Sequence, residues 1–390
     1  MMKNNSIFSI ALPAFIAMSI GLFPISNANG TPRPIVANGT IRTAQGDLLR
    51  GTSLHISKTY SSRCLTWGLD KNNLIKLRDQ AHLNTIRLNC LDPRAVVDGR
   101  PTQAFSTIAE EAVYVDSVIA NCGAVGLYVL LDYHCMGMVY DMSTWDIRNF
   151  WDFYAPRYKD KPYVMYEMMN EPYAAGPPMA TGGADLATAR NVDLYKNHVR
   201  KWAPNTIVTG MMEPVEVVAD WGPYLRDIFG PKAGIDWTAG KDAWAFHVYA
   251  GTTAPPIIAT KSSGVPIICS EFSYPEDGWT NGDLEGVHLP AQWCERNNIS
   301  WMDWKSWNAA DQAAMEVTVL IPDAQSKGWV WWNKVDVAGK RPVYSAPRPA
   351  DLLTRPTARI QANGRMLPDQ MREEKRNFQL YIFPLNSMRR

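Results

Sequence analysis

Two glutamates, Glu171 and Glu271, stand one hundred positions apart, and each closes a largely apolar run: YVMYEMMNEPY at 163–173 and VPIICSEFSY at 265–274. A strand buried on both faces delivers a carboxyl group to the rim of a barrel in this way. Two carboxyls brought together there are the minimum equipment for hydrolysing a glycosidic bond.

Positioning them requires a scaffold, and the chain carries the pattern of one. Short apolar runs recur at 49–54, 85–89, 126–132, 163–169, 206–210, 243–248, 265–270 and 299–303. Amphipathic stretches such as 73–82 and 107–122 lie between them. Strands covered on both sides lose their polar alternation, so this succession predicts an α/β fold, a (β/α)8 TIM barrel. A doubly wound sheet is the competing arrangement. Ahead of the first strand, 34–49 holds two short alternating runs with Asn-Gly and Gln-Gly turns, the signature of an N-terminal β-hairpin.

In a barrel the chemistry sits at the C-terminal ends of the strands. Those ends carry Arg87, Asp132 and His134, Asn170 and Glu171, His247 and Tyr249, Glu271, and Asp303 with Trp304. Singly, each has a plainer reading: a structural ion pair for Arg87, a satisfied polar residue for a histidine, a helix-starting turn for Asn170-Glu171-Pro172. Their order, each behind its own apolar strand, is the stronger signal.

Over about residues 51–304 the chain resembles glycoside hydrolase family 5. The resemblance implies Glu171 as the acid/base, from the Asn-Glu-Pro after strand four, and Glu271 as the nucleophile after strand seven. It also implies His134 and His247 as hydrogen-bonding groups of the reactive subsite and Trp304 as a stacking floor beneath the sugar. The chemistry fits: carboxyls about 5–5.5 Å apart cannot ionise independently, so an ionised Glu271 keeps Glu171 protonated. Arg87 would hold Glu271 ionised, Tyr249 would orient the same carboxylate, and Asn170 would bond the sugar 2-OH.

Composition narrows the partner. With 390 residues, 20% charged and a net charge of +1, the chain shows no dense basic run ahead of its tail, so nucleic acid gets little support and a neutral partner fits better. The 15 Trp and 16 Tyr suit either a large core or the stacking of flat sugar faces. HExxH, GxSxG, GxGxxG and CxxC are all absent from the sequence, so no metal and no cofactor is expected.

The first residues read as an export signal: Lys3, an apolar stretch at 7–23, and Ser26-Asn27-Ala28 as the cleavage pattern. A single membrane anchor is the competing reading. The expected organisation is therefore a signal peptide at 1–28, a hairpin segment at 29–48, a catalytic barrel at 49–350 and a tail at 351–390 that includes the last barrel helix. A secreted chain, extracellular or periplasmic, acting as a monomer off the membrane follows, and its six cysteines would meet an oxidising space where disulfides form. The leading expectation is a retaining endo-1,4-β-glucanase on a β-linked polysaccharide. Its rivals are an endo-β-1,4-mannanase or another β-glycan hydrolase of the family, and a polysaccharide-binding protein on a hydrolase scaffold.

Overall fold

The computed structural model describes residues 30–56, 69–79, 83–91, 96–97, 100–101, 105, 107–134, 136–138, 144–173, 183–211, 221–248, 252–272 and 290–303. The chain opens with an antiparallel hairpin, β1 (Ile35–Ala37) and β2 (Thr40–Arg42). Asn38 and Gly39 link them at φ 53° and 75°. A two-residue turn between twisted strands needs two positive φ values, and Asn-Gly adopts them at low cost.

Eight parallel strands follow. They are β3 (Arg50–Ile56), β4 (Thr85–Leu91), β7 (Tyr128–His134), β9 (Val164–Glu167), β11 (Val208–Met211), β12 (Asp242–Val248), β13 (Ile267–Phe272) and β14 (Trp301–Asp303). Short pairs flank the barrel: β5 (Val96–Val97) with β6 (Arg100–Pro101), and β8 (Met136–Met138) with β10 (Glu171–Tyr173). The eight pair in chain order and close, with Trp301 opposite Arg50 and Asp303 opposite Thr52. The fold is a (β/α)8 barrel preceded by a hairpin, and every expected strand lies within two residues of its observed ends.

The strands read as apolar because they are covered twice. All residues of β7, β12 and β13 are buried, with helices outside and the opposite strands inside. The helix Ile108–Val125 shows how the outer layer is fixed. Thr107 caps it by accepting from Glu110 N at 3.2 Å, and Gly126 ends it in the left-handed region at φ 84°. Val115, Val118, Ile119 and Cys122 fall on one face at helical spacing and are buried. Each such aliphatic residue contributes about 1.5–3 kcal/mol of burial.

The hairpin seals the N-terminal mouth. Thr40 Oγ1 donates to Ile267 O at 2.7 Å, Ile267 N donates to Gly39 O at 3.0 Å, and Leu49 N donates to Ser300 Oγ at 2.8 Å. Beside the closing seam, Arg50 forks onto Glu295 at 2.7 and 3.0 Å, and Trp301 Nε1 donates to the same carboxylate at 2.9 Å. Among the described residues, four tryptophans serve the core: Trp151, Trp244, Trp293 and Trp301 are all buried.

Among the described residues no helix is long and apolar enough to cross a membrane. Cys90, Cys122, Cys269 and Cys294 are buried free thiols, whereas Cys64 and Cys135 lie outside the described residues. The expected signal segment and last barrel helix also lie outside them.

Candidate active site

Two local irregularities build the site. In an unbroken strand neighbouring side chains face opposite sides, so Asn170 and Glu171 would not both reach one site. The barrel strand β9 instead stops at Glu167, and the backbone changes partners over 168–170. Met168 N bonds Thr209 O at 2.9 Å on one side, Asn170 N bonds Tyr133 O at 3.0 Å on the other, and Glu171 then begins β10. Trp151 Nε1 anchors the break by donating to Met168 O at 2.8 Å.

The second irregularity is a bulge between β12 and β13. Phe246 pairs with Cys269 but His247 pairs with Glu271, so Ser270 is the extra residue. Bulges re-aim side chains next to active sites, and this one sets His247 level with Glu271.

Arg87, fully buried, lies at the centre of the resulting cluster. Its Nε donates to Glu167 Oε2 at 2.6 Å, Nη1 to Glu271 Oε2 at 2.7 Å, and Nη2 to Asn170 Oδ1 at 2.6 Å. Nη2 also lies 3.1 Å from Asp132 Oδ2, which His134 Nδ1 approaches to 2.7 Å. On the other side, His247 Nδ1 is 2.8 Å from Glu171 Oε1 and 3.8 Å from Glu271 Oε1. An oxygen of Glu171, an oxygen of Glu271 and a nitrogen of His247 all fall within 4.8 Å of one another.

The charges are unbalanced in a useful direction. Four carboxyls, Asp132, Glu167, Glu171 and Glu271, surround one guanidinium. Burial opposes the charge of Arg87, but Asp132, Glu167 and Glu271 more than offset it and raise its pKa. Burial, then the negative charge of Glu271, pushes Glu171 well above the usual carboxyl range despite Arg87. Asp132 and Glu167 are each pushed up to about 7 by burial, against the pull of Arg87.

Both histidines are neutral. Burial, then Arg87, drives His134 down to about 3, and the same causes with His134 added hold His247 well below its ordinary value. Across the His247 contact, either Nδ1–H donates to Glu171 or a protonated Glu171 donates to Nδ1. Only the first leaves the Glu171 proton on Oε2, available for transfer. Glu171, His247 and Glu271 are close enough to share a small cation, but Arg87 already occupies Glu271 Oε2 and a protonated Glu171 offers no anionic ligand. The arrangement suits proton transfer and nucleophilic attack.

Of the residues picked out in the sequence, Arg87, His134, Asn170, Glu171, His247 and Glu271 come together here. Tyr249 and Trp304 lie outside the described residues. The sequence reading missed Glu167 and gave Asp132 no role. The available signals were a charge inside an apolar strand for Glu167, and a position two residues before His134, on the same pleat face, for Asp132.

A family model described as Cellulase (glycosyl hydrolase family 5) matches residues 41–310. Among solved structures, the chain is similar to "Cellulase Cel5C_n" at 20% identity, covering 80% of this chain and 90% of that one, with a TM-score of 0.51. It is similar to the β-glucanase SdGluc5_26A from Saccharophagus degradans at 18% identity, over 75% of this chain and 94% of that one, with a TM-score of 0.52. The catalytic domain of Thermobifida fusca endoglucanase Cel5A aligns at 16% identity, over 76% and 98%, with a TM-score of 0.50. At such identities these likenesses speak for the barrel.

Proposed function

The chain belongs to glycosyl hydrolase family 5 and is a glycoside hydrolase, and on that footing we propose that it is a secreted, retaining endo-β-glycanase that cleaves β-1,4-glucan. Glu171 serves as the acid and then the base, and Glu271 as the nucleophile. The observation that carries this reading is the spacing of the pair, with one oxygen of each carboxyl inside a 4.8 Å group. Retaining enzymes hold their carboxyls about 5–5.5 Å apart, whereas inverting enzymes need about 6.5–9.5 Å to admit a water between them.

The mechanism follows from the charges. Arg87 stabilises the anionic form of Glu271, which attacks the anomeric carbon while Glu171 gives its proton to the departing glycosidic oxygen. Forming the ester removes the charge on Glu271, and with it one cause of the raised pKa of Glu171. Glu171 then accepts a proton from water, which opens the ester with retained configuration. Asn170, held by Arg87, presents its amide to the sugar 2-OH, and neutral His134 and His247 line the same subsite. By the sequence reading and the family resemblance, Tyr249 is assigned the orienting hydroxyl and Trp304 the stacking floor.

Ionised Glu271 favours the positive charge that develops at the anomeric carbon, and Arg87, already paired with Glu271, is not left to bind a polyuronate, which supports a neutral glycan. Glucan is favoured because SdGluc5_26A has also been solved with cellotetraose, at 18% identity to this chain. Export rests on the apolar leader, with a chain beginning at Asn29 as its product.

The deciding experiment incubates the chain with carboxymethylcellulose, mixed-linkage glucan, xyloglucan, mannan and xylan and maps the products. Short oligosaccharides from glucans with mannan untouched are expected. Release from mannan alone makes it a mannanase, and binding without any release makes it a sugar-binding barrel.

A further inference from the structure

Glu167, like Asp132, is a carboxyl of the cluster for which the double displacement has no step, yet its Oε2 accepts from Arg87 Nε at 2.6 Å. Neutralising Arg87 does not require it, because Glu271 already supplies a charge on Nη1 at 2.7 Å. The geometry of a guanidinium explains what Glu167 adds. The group is planar, and its donors form a fixed fork, so fixing Nε fixes the directions of both Nη groups. Those directions end on Glu271 and on Asn170.

We infer that Glu167 is a positioning residue for the reaction: it locks the rotation of Arg87 so that one arm meets the nucleophile and the other meets Asn170, and its negative charge helps Glu171 keep its proton. Stability is a poor rival explanation, since a fully buried ion pair seldom stabilises a fold more than apolar packing does.

The groups that act on Glu171 are Glu271 from β13, His247 from β12, Arg87 from β4, Asp132 from β7, and Glu167 from β9. Glu167 itself faces Arg87, Asp132 and the hydroxyl of Ser270. With Glu167 titrating near pH 7, its charge acts on Glu171 mainly above that pH, where the acid must still hold its proton.

The inference rests on the two-glutamate reading above, and two variants separate its parts. Glu167→Gln keeps the shape and an acceptor oxygen for Arg87 but carries no charge. Glu167→Asp keeps the charge but withdraws it from Nε by one methylene. Both are checked for a native circular dichroism spectrum, and kcat and KM are measured from pH 4 to 9.

For Glu167→Gln, kcat should stay within about threefold of the parent below pH 7, while the basic limb moves to lower pH by roughly one unit. For Glu167→Asp, kcat should fall by about 10–100-fold with KM within about threefold and the basic limb in place. Parental kcat, KM and pH profile in both variants, whatever their melting temperatures, would overturn the inference. An unshifted basic limb in Glu167→Gln is by itself enough to refute the charge role if Glu167→Asp does not fold. Glu271→Gln is assayed alongside: full turnover there refutes the two-glutamate reading, whereas loss there with unchanged Glu167 variants refutes only the role of Glu167.

Discussion

Arg87 Nη1 donates to Glu271 Oε2 across 2.7 Å, although 184 positions separate the two residues in the chain. The contact joins the second barrel strand, β4, to the seventh, β13, through the barrel interior, where both residues are buried. A lysine in place of Arg87 keeps a charge but offers a single point donor to four acceptors. Arg87→Lys should lower kcat by about 100-fold or more, since it removes two buried charge-assisted hydrogen bonds of about 1.5–3 kcal/mol each. KM should move by less than about fivefold, because those hydrogen bonds run to protein groups rather than to sugar.

In the proposed mechanism, Glu171→Gln removes the acid and the base together. Hydrolysis of a cello-oligosaccharide should drop by about 10²–10⁴-fold, the range of general acid–base catalysis. An aryl glycoside with a good leaving group needs no acid, so its first step should survive and a glycosyl-enzyme should accumulate. Added azide, which attacks without a base, should then restore turnover and give a β-glycosyl azide. An equal loss on both substrates with no effect of azide would remove Glu171 from the role.

Stability should depend on pH through the same cluster. Asp132 rises from 3.8 to about 7 in the folded chain, so between those values the folded state binds a proton that the unfolded state has released. Such a group stabilises below its unfolded pKa, and the benefit is lost as pH climbs through about 7. The urea midpoint should therefore fall between pH 5 and pH 7.5. Asp132→Asn, which cannot ionise, should flatten that slope. A midpoint that rises over this interval in the parent chain would show that the carboxyls are not held protonated.

The strands were legible because β7, β12 and β13 are covered on both faces, and only continuous apolar runs satisfy that. The strand-end residues were legible for the complementary reason, that a polar group closing such a run has to face the barrel mouth. Three features were not. Glu167 sits inside the run MYEMMN, where a charge within an apolar strand is a signal but does not name Arg87 as its partner. The break at 168–170 left no mark, since Met168 and Met169 continue the apolar pattern while the backbone changes partners. The bulge at Ser270 is likewise silent, because its extra residue appears only when β13 is paired against β12. The Trp content left core and sugar stacking open, and Trp151, Trp244, Trp293 and Trp301 prove to fill the core.

Packing at the barrel wall gives a prediction separate from catalysis. Gly210 on β11 lies opposite Trp244 on β12, and a Cβ at Gly210 would come within 2.2 Å of the indole ring. Trp244 is itself packed edge-on against Phe229 at 5.0 Å. Gly210→Ala should destabilise the fold by about 1–3 kcal/mol, the usual cost of overpacking, as read from the denaturant midpoint. Activity per folded molecule should be little changed, and a neutral midpoint would mean that the ring shifts without cost.

The central claim is that Glu271 forms a covalent bond to the sugar. Incubation with a 2-deoxy-2-fluoro-cellobioside bearing a good leaving group slows both steps but the second more, so a retaining enzyme is caught as its ester. Intact-mass and peptide analysis should show one added cellobiosyl unit per chain, on the peptide that carries Glu271, together with a matching loss of activity. A sugar attached to any other residue, or an active chain that never acquires one and releases the α-anomer first, would contradict the account.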